Sequence, residues 1–147
     1  AGRYIAPAGG SEHQTGLAVD LGENVPDLDF ICPCFPDSGP CRALREKAAD
    51  YGFVLRYPKG KEAITGIGWE PWHFRYVGWP HARIMTERNL VLEEIMGVLK
   101  EYPGNRDVMV FLPGGRNVKT SSQYRVDFSE KLERRLKDLL GNDNVKG

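Results

Sequence analysis

SEHQTGLAVDL, at positions 11–21, passes from a short polar segment through a glycine into an alternating run. Within the run, Leu17 and Leu21 fall on one side and Asp20 falls on the other, which is typical of a half-buried strand. A carboxylate in an apolar strand is costly unless it is paired or binds a cation. The segment therefore predicts both a strand and a partner for the Asp20 carboxylate.

Outside this strand, the sequence alternates irregularly between further strands and helices. Apolar runs predict strands at residues 53–57, 72–77, 108–112 and 124–128. Helical spacing predicts helices at residues 40–51, at 86–102 (the longest) and from a capping box at Asp127 and Glu130 to about Gly141, with a loop at 58–68. Since no βαβ rhythm appears, we expect an α+β fold with a small central antiparallel sheet, flanking helices and a C-terminal strand–helix extension.

Composition indicates one ordinary globular domain spanning residues 1–147. Twenty Lys and Arg balance 20 Asp and Glu, and this neutrality argues against nucleic acid as a partner. The longest stretches without a charged residue are eight residues long, whereas a transmembrane helix needs about 18 apolar residues.

Three cysteines, Cys32, Cys34 and Cys41, lie in the short segment 31–41. One disulfide with a leftover thiol is the first interpretation, and it would indicate an oxidising compartment. Three reduced, buried thiols are the second. A zinc site is the third, although three thiolates would lack a fourth ligand nearby.

Two histidines and two carboxylates form the candidate chemical site. His13 precedes Asp20 by seven residues, and Glu70 precedes His73 by three. Two imidazoles and one carboxylate suit a catalytic zinc with a fourth position left for water. Zinc lowers the pKa of such a water to about 7, and a nearby carboxylate, here Glu70, can take its proton.

Each residue of this site also has a purely structural interpretation. His73 would be a hydrogen-bonded strand residue, and His13 would lie in a surface loop. Asp20 would pair with a cation such as Arg75, and Glu70 would simply be solvated. Spacing alone leaves these alternatives open.

Two motifs carry a family resemblance. Ser-x-His-x-x-Gly-x-Ala-x-Asp stands at residues 11–20, and Glu-x-Trp-His-x-Arg-Tyr-Val-Gly stands at residues 70–78. Together they resemble the zinc D-alanyl-D-alanine carboxypeptidases and dipeptidases, which include vancomycin-resistance enzymes and group with lysostaphin-type peptidases and hedgehog domains. The resemblance covers roughly residues 4–102, and the C-terminal extension resembles the bifunctional dipeptidase/carboxypeptidase branch.

The resemblance implies a role for each motif residue. It implies one Zn²⁺ per chain, with Glu70 as the catalytic base and with three ligands: His13, Asp20 and His73. It places two residues, Ser11 and Gln14, in the substrate cleft. It implies that three others brace the site, namely Trp72, Arg75 and Tyr76, with Arg75 orienting a ligand carboxylate.

The activity implied is hydrolysis of the terminal D-Ala-D-Ala bond of peptidoglycan stem peptides by a D,D-carboxypeptidase. Alternatives within the family are a D,D-dipeptidase acting on free D-Ala-D-Ala and an L,D-carboxypeptidase. An alternative of another class is a catalytically silent, zinc-containing module that binds the cell wall. The first activity implies a bacterial protein of the cell envelope, outside the membrane, whereas a dipeptidase would be cytoplasmic.

The family also has an N-terminal helix and strand before the first motif. They carry a Ser-Gly-Tyr-Arg-type segment whose arginine stabilises the oxyanion of the transition state. This sequence begins at Ala1, and Arg3 lacks that context. We therefore expect a fragment, either clipped or split, whose separate N-terminal piece supplies the arginine, since losing such a stabiliser costs about 10²–10³-fold in rate. We also expect that piece or a dimer partner to cover the apolar surface that its absence exposes.

Overall fold

The computed structural model describes residues 9–29, 32, 35, 38–111 and 115–147. Arg3 and Cys34 lie outside these residues, so the expectations about them stay predictions. The chain divides into two compact units, Ala1–Arg83 and Ile84–Gly147. Within the described ranges, no helix has the length and apolar character that a membrane crossing requires.

Short strands and short helices make up both units. The strands are β1 (Ala18–Asp20), β2 (Phe53–Tyr57), β3 (Glu70–Tyr76), β4 (Pro103–Arg106), β5 (Met109–Phe111) and β6 (Asn117–Lys119). The α-helices are α1 (Gly39–Lys47), α2 (Glu62–Thr65), α3 (Trp79–Glu87), α4 (Leu92–Lys100) and α5 (Glu130–Leu140). Single 3₁₀ turns occur at Glu12–Thr15, Ala48–Tyr51, Ser122–Tyr124 and Asn142–Asn144. The α+β class predicted from the sequence is confirmed.

The first unit is built on a three-stranded antiparallel sheet in the order β1-β3-β2. Asp20 lies directly opposite His73 in the β1–β3 register, and Ala18 lies opposite Arg75. Because directly opposed residues project from the same face of a sheet, this register places Asp20 beside His73.

The β2–β3 pairing contains an irregularity. Leu55 pairs with Phe74, but Tyr57 pairs with Glu70. An advance of two residues along β2 therefore corresponds to an advance of four residues along β3. Extra residues on one strand form a bulge, which bends the strand and changes the direction of its side chains. The bulge therefore lies in the segment between Glu70 and Phe74, which also contains His73.

Each unit has its own apolar core. In the first, Trp72 and Phe35 are 4% exposed, and they pack with Cys41 and Leu28. The second core has five buried side chains. Val98 and Leu99 come from α4, Leu132 and Leu136 come from α5, and Val126 lies between the two helices in sequence and bridges to β4. Leu132 is fully buried.

The long helix predicted at residues 86–102 is wrong, because α3 ends at Glu87 and α4 begins at Leu92. Asn89 between them has a positive φ of 51°, which a continuous helix excludes. The backbone N–H of Val91 then donates to the Glu94 carboxylate at 2.8 Å and starts the second helix. The longest described helix is instead α5.

Smaller differences lie at the ends of elements. The helix predicted at residues 40–51 is α1 followed by a 3₁₀ turn, and the predicted loop at 58–68 contains α2. The predicted strand at 124–128 is reduced to isolated bridges from Val126. The N-cap of α5 is Ser129, whose hydroxyl accepts from the Leu132 N–H, and not Asp127.

Candidate metal centre

Three side chains converge at one edge of the β1–β3 sheet. His13, Asp20 and His73 each contribute one possible ligand atom, and these atoms lie within 4.8 Å of one another. Nε2 of His13 is 3.3 Å from Nδ1 of His73 and 3.4 Å from Oδ1 of Asp20. Nδ1 of His73 is 2.8 Å from the same Asp20 oxygen. The residues predicted as ligands are therefore neighbours in the structure.

Local backbone features place these three groups. His13 lies in the first 3₁₀ turn, which ends at Gly16 with a φ of 69°. That left-handed conformation suits glycine, and it turns the chain directly into β1. Asp20 and His73 then meet by strand register.

The donor set fits zinc. Tetrahedral zinc with bonds of about 2.0–2.1 Å to nitrogen requires donor atoms about 3.3 Å apart. The two separations from His13 Nε2, 3.3 and 3.4 Å, already have this value. His13 and Asp20 are exposed while His73 is 5% exposed, so the set is open to solvent on one side. An open side leaves room for a fourth ligand.

Glu70 lies beside the three ligand atoms. Its Oε2 is 3.9 Å from Nδ1 of His73, and the residue is 5% exposed. In a regular strand, residues three apart point to opposite faces, so the bulge in β3 accounts for this proximity. Burial raises the pKa of Glu70 to about 7; the charge of His73 opposes the shift, and the carboxylates of Asp20 and Glu12 add to it.

Glu12 is a site residue that the sequence interpretation missed. Its Oε1 is 2.7 Å from Nε2 of His73, the nitrogen that faces away from the ligand cluster. Its Oε2 accepts from Arg75 at 3.0 Å and from Arg56 at 3.3 Å. Glu12 occupies a variable position of the first motif, and its partners lie 44 to 63 residues away, so no local pattern could have revealed it.

The proton balance of the metal-free site follows from these contacts. Burial alone would lower the pKa of His73, but hydrogen bonds and charges from Asp20 and Glu12 outweigh it and raise the pKa to about 9. Burial would raise the pKa of Glu12, but the His73 hydrogen bond and the Arg56 and Arg75 charges lower it to about 2. His73 is therefore an imidazolium at neutral pH until a metal displaces its proton.

The remaining predicted site residues lie at varying distances from this cluster. Arg75 contacts Glu12, and not Asp20 as expected of an arginine that orients a ligand carboxylate. Trp72 packs against Phe35 in the core. The Tyr76 ring packs on Phe53, 5.2 Å between centroids. Two predicted cleft residues flank the 3₁₀ turn: Ser11, half-buried, precedes it, and Gln14, exposed, lies within it.

Two of the cysteines can be assigned. Cys32 is disulfide-bonded, and Cys41 is a free, buried thiol. Burial raises the pKa of the Cys41 thiol. Among the described residues, the arrangement therefore agrees with one disulfide and one leftover thiol.

A protein-family model described as "VanY: D-alanyl-D-alanine carboxypeptidase" matches residues 1–79, which contain all four residues of the predicted zinc site. The chain belongs to the VanY family. The match ends just after the second motif, so it covers the sheet and the ligand cluster described above.

Individual VanY-family relatives match at substantial identity. The bifunctional D-Ala-D-Ala dipeptidase and D-Ala-D-Ala carboxypeptidase VanXYC of Enterococcus gallinarum is 50% identical over 93 residues, covering 63% of this chain and 49% of that protein. The D,D-dipeptidase VanXYg, solved in complex with a D-Ala-D-Ala phosphinate analog, has a TM-score of 0.61 and 48% identity, covering 80% of this chain and 47% of that one.

A mutant of a vancomycin-resistance D,D-pentapeptidase VanY, solved in complex with Zn(II), has a TM-score of 0.51 and 39% identity, covering 63% of this chain and 48% of that one. The chain covers about half the length of each of these three relatives, and about a third of some other curated relatives.

Proposed function

We propose that this chain is a zinc-dependent D,D-carboxypeptidase that hydrolyses the terminal D-Ala-D-Ala bond of peptidoglycan stem peptides. The observation that carries the proposal is the convergence of His13, Asp20 and His73 with Glu70 beside them. One Zn²⁺ per chain is held by the first three residues. When bound, it supplies Lewis acidity to an attacking water and to the scissile carbonyl.

Glu70 has the properties that a general base needs in this reaction. A general base works best when its pKa lies near the working pH, and in the metal-free chain burial raises the pKa of Glu70 to about 7. Its Oε2 takes a proton from the water and delivers it to the leaving amine of D-Ala.

His73 and Asp20 set the charge of the site. Asp20 supplies a negative ligand from an exposed strand edge, while His73 lies in the sheet with its Nε2 held by Glu12. The exposed sides of His13 and Asp20 provide the approach for a peptide end. Ser11 and Gln14 belong to the same turn as His13, Ser11 just before its first residue. We propose both as substrate contacts.

The test uses mass spectrometry of a zinc-supplemented reaction with a stem pentapeptide ending in D-Ala-D-Ala. We expect loss of one alanine, and we expect a chelator to block it. Glu70→Gln should keep zinc and lose turnover by about 10²–10⁴-fold, because that is the contribution of a positioned base. Glu101→Gln, which removes an exposed carboxylate paired with Arg135, should retain full turnover.

Parallel substrates separate the related activities. Hydrolysis of free D-Ala-D-Ala would assign a D,D-dipeptidase, the activity named together with carboxypeptidase in the E. gallinarum relative. Hydrolysis of the tetrapeptide alone would assign an L,D-carboxypeptidase. A zinc-loaded chain that cleaves none of the three substrates, either alone or with the separate N-terminal piece added back, would contradict the proposal and favour a silent wall-binding module.

We also propose an extracytoplasmic location in a bacterium. The disulfide at Cys32 supports it, because disulfides persist mainly in oxidising compartments. Reduced Cys32 in protein isolated from its native cells would contradict this location.

A further inference from the structure

Glu12 joins the candidate metal centre to two arginines of the same sheet. Its two carboxylate oxygens have different partners: Oε1 faces the His73 ring, and Oε2 faces the guanidinium groups of Arg56 and Arg75. The side chains of Glu12, Arg56 and Arg75 are 17%, 10% and 19% exposed. The carboxylate is therefore fixed at both ends and largely shielded from solvent.

We infer that Glu12 is a positioning residue, which holds His73 in the tautomer that presents Nδ1 to zinc, while Arg56 and Arg75 hold Glu12 in place. The inference rests on the zinc site of the proposed function. The contact that carries it is the one between the Glu12 carboxylate and Nε2 of His73.

The two nitrogens of His73 make this assignment specific. A neutral imidazole carries one proton, and a metal binds the nitrogen that lacks it. Nδ1 points at Asp20 and His13, whereas Nε2 points at Glu12 at 2.7 Å. An ionised carboxylate only accepts hydrogen bonds, so Glu12 requires the proton on Nε2 and leaves Nδ1 as the metal-binding atom.

The arginine pair keeps Glu12 in its accepting form. Two guanidinium groups on one oxygen favour the ionised carboxylate, and they fix its orientation with directional hydrogen bonds. Partners of this kind behind a metal-binding histidine typically contribute about 10–100-fold to metal affinity. A residue with only a structural role in the turn at Glu12–Thr15 would have no such effect on the metal.

The first experiment measures zinc affinity by chelator competition for the wild-type chain, Glu12→Gln and Glu46→Gln. Glu46 forms an exposed pair with Arg42 at 2.9 Å on α1, so its substitution removes an equivalent carboxylate–guanidinium contact away from the site. We expect Glu12→Gln to weaken zinc binding by about 10–100-fold and Glu46→Gln to leave it unchanged. A folded Glu12→Gln chain that binds zinc within about twofold of wild type overturns the inference.

The second measurement needs no variant, so it tests which nitrogen of His73 binds zinc even if Glu12→Gln fails to fold. Long-range ¹H–¹⁵N NMR of the zinc-loaded wild type reports which nitrogen of His73 carries the proton. We expect a protonated Nε2 and a metal-bound Nδ1; a metal-bound Nε2 overturns the inference.

The two failures are distinguishable. A wild-type chain that binds no zinc removes both the proposed function and this inference. A zinc-binding, active wild type with an unaffected, folded Glu12→Gln variant removes only the role assigned to Glu12.

Discussion

Asp20 and His73 face each other across β1 and β3, with Oδ1 2.8 Å from Nδ1. The relationship is set by strand register, so the backbone pairing that forms the sheet also aligns two of the three metal-binding groups. The backbone forms the sheet and the side chains supply the ligand atoms, so substituting a ligand side chain should remove zinc binding and leave the sheet intact.

Replacing Asp20 with Ala should weaken zinc binding by more than about 100-fold, because even partners behind the ligands contribute about 10–100-fold. The side chain is 35% exposed, so its loss should leave the fold intact. Asp50→Ala, which removes an exposed partner of Arg83, is the matched control. Full zinc occupancy in the Asp20 variant would remove Asp20 from the ligand set.

Zinc affinity should rise with pH between about 6 and 9. Folding raises the pKa of His73 to about 9, so zinc must displace a proton at any lower pH. Chelator competition at pH 6, 7, 8 and 9 measures this coupling. An affinity that is constant over the range would show that the His73 nitrogen facing Asp20 carries no proton to displace.

The same shift predicts that the zinc-free chain loses stability as pH rises. When folding raises the pKa of a histidine above its unfolded value of about 6.5, its protonation stabilises the folded state. This stabilisation is complete at pH values below the unfolded pKa. The contribution of His73 is then lost as pH rises through about 9. Urea unfolding of the zinc-free chain at pH 6.5 and 9.5 tests the direction, and His73→Gln should remove most of the difference.

Trp72→Ala should destabilise the chain by about 3–5 kcal/mol, since it leaves a cavity in the core of the first unit. Trp79→Ala is the control, because Trp79 is 48% exposed and its ring lies beside the Arg83 guanidinium. Chemical denaturation of both variants should show a large loss for the first and a small one for the second. Equal losses would contradict the packing of Trp72 in the core.

Two glycines should respond to alanine in opposite directions. A Cβ at Gly104 in β4 would collide with the backbone of Asp127, so Gly104→Ala should cost about 1–3 kcal/mol. A Cβ at Gly97 in α4 would meet nothing within 4 Å, so Gly97→Ala should stabilise the helix by about 0.5–1 kcal/mol. The free energy of unfolding of each variant checks the pair; a stabilising Gly104→Ala would contradict the close approach of β4.

Local patterns predicted the elements and groups that depend on neighbouring residues. The alternation around Asp20 indicated a strand, and β1 is found at Ala18–Asp20 with Asp20 exposed. Leu17 and Leu21, expected on its buried side, are instead exposed and lie outside the strand. The motif resemblance then singled out the residues that converge in space. The break at Asn89 was missed, because helical spacing of apolar residues continues on both sides of it and only the backbone conformation reveals the interruption.

Features that depend on distant residues could not be predicted in this way. Glu12 was given no role from the sequence, since Arg56 and Arg75 are remote in sequence. The placement of Glu70 depends on the irregular pairing of β3 with β2, which strand periodicity does not encode. Both depend on contacts between residues that are far apart in the sequence.

The irregular pairing of β3 also limits how this site can be transplanted. Grafting the short pattern Glu-Pro-Trp-His onto an unbroken strand of another protein would send the acid and the imidazole to opposite sides, where they could never cooperate. A successful graft must carry the extra residues of β3 together with their partner strand. For the same reason, a search for unrelated proteins with this chemistry should compare the strand pairing around the glutamate, and not only the sequence pattern Glu-Pro-Trp-His.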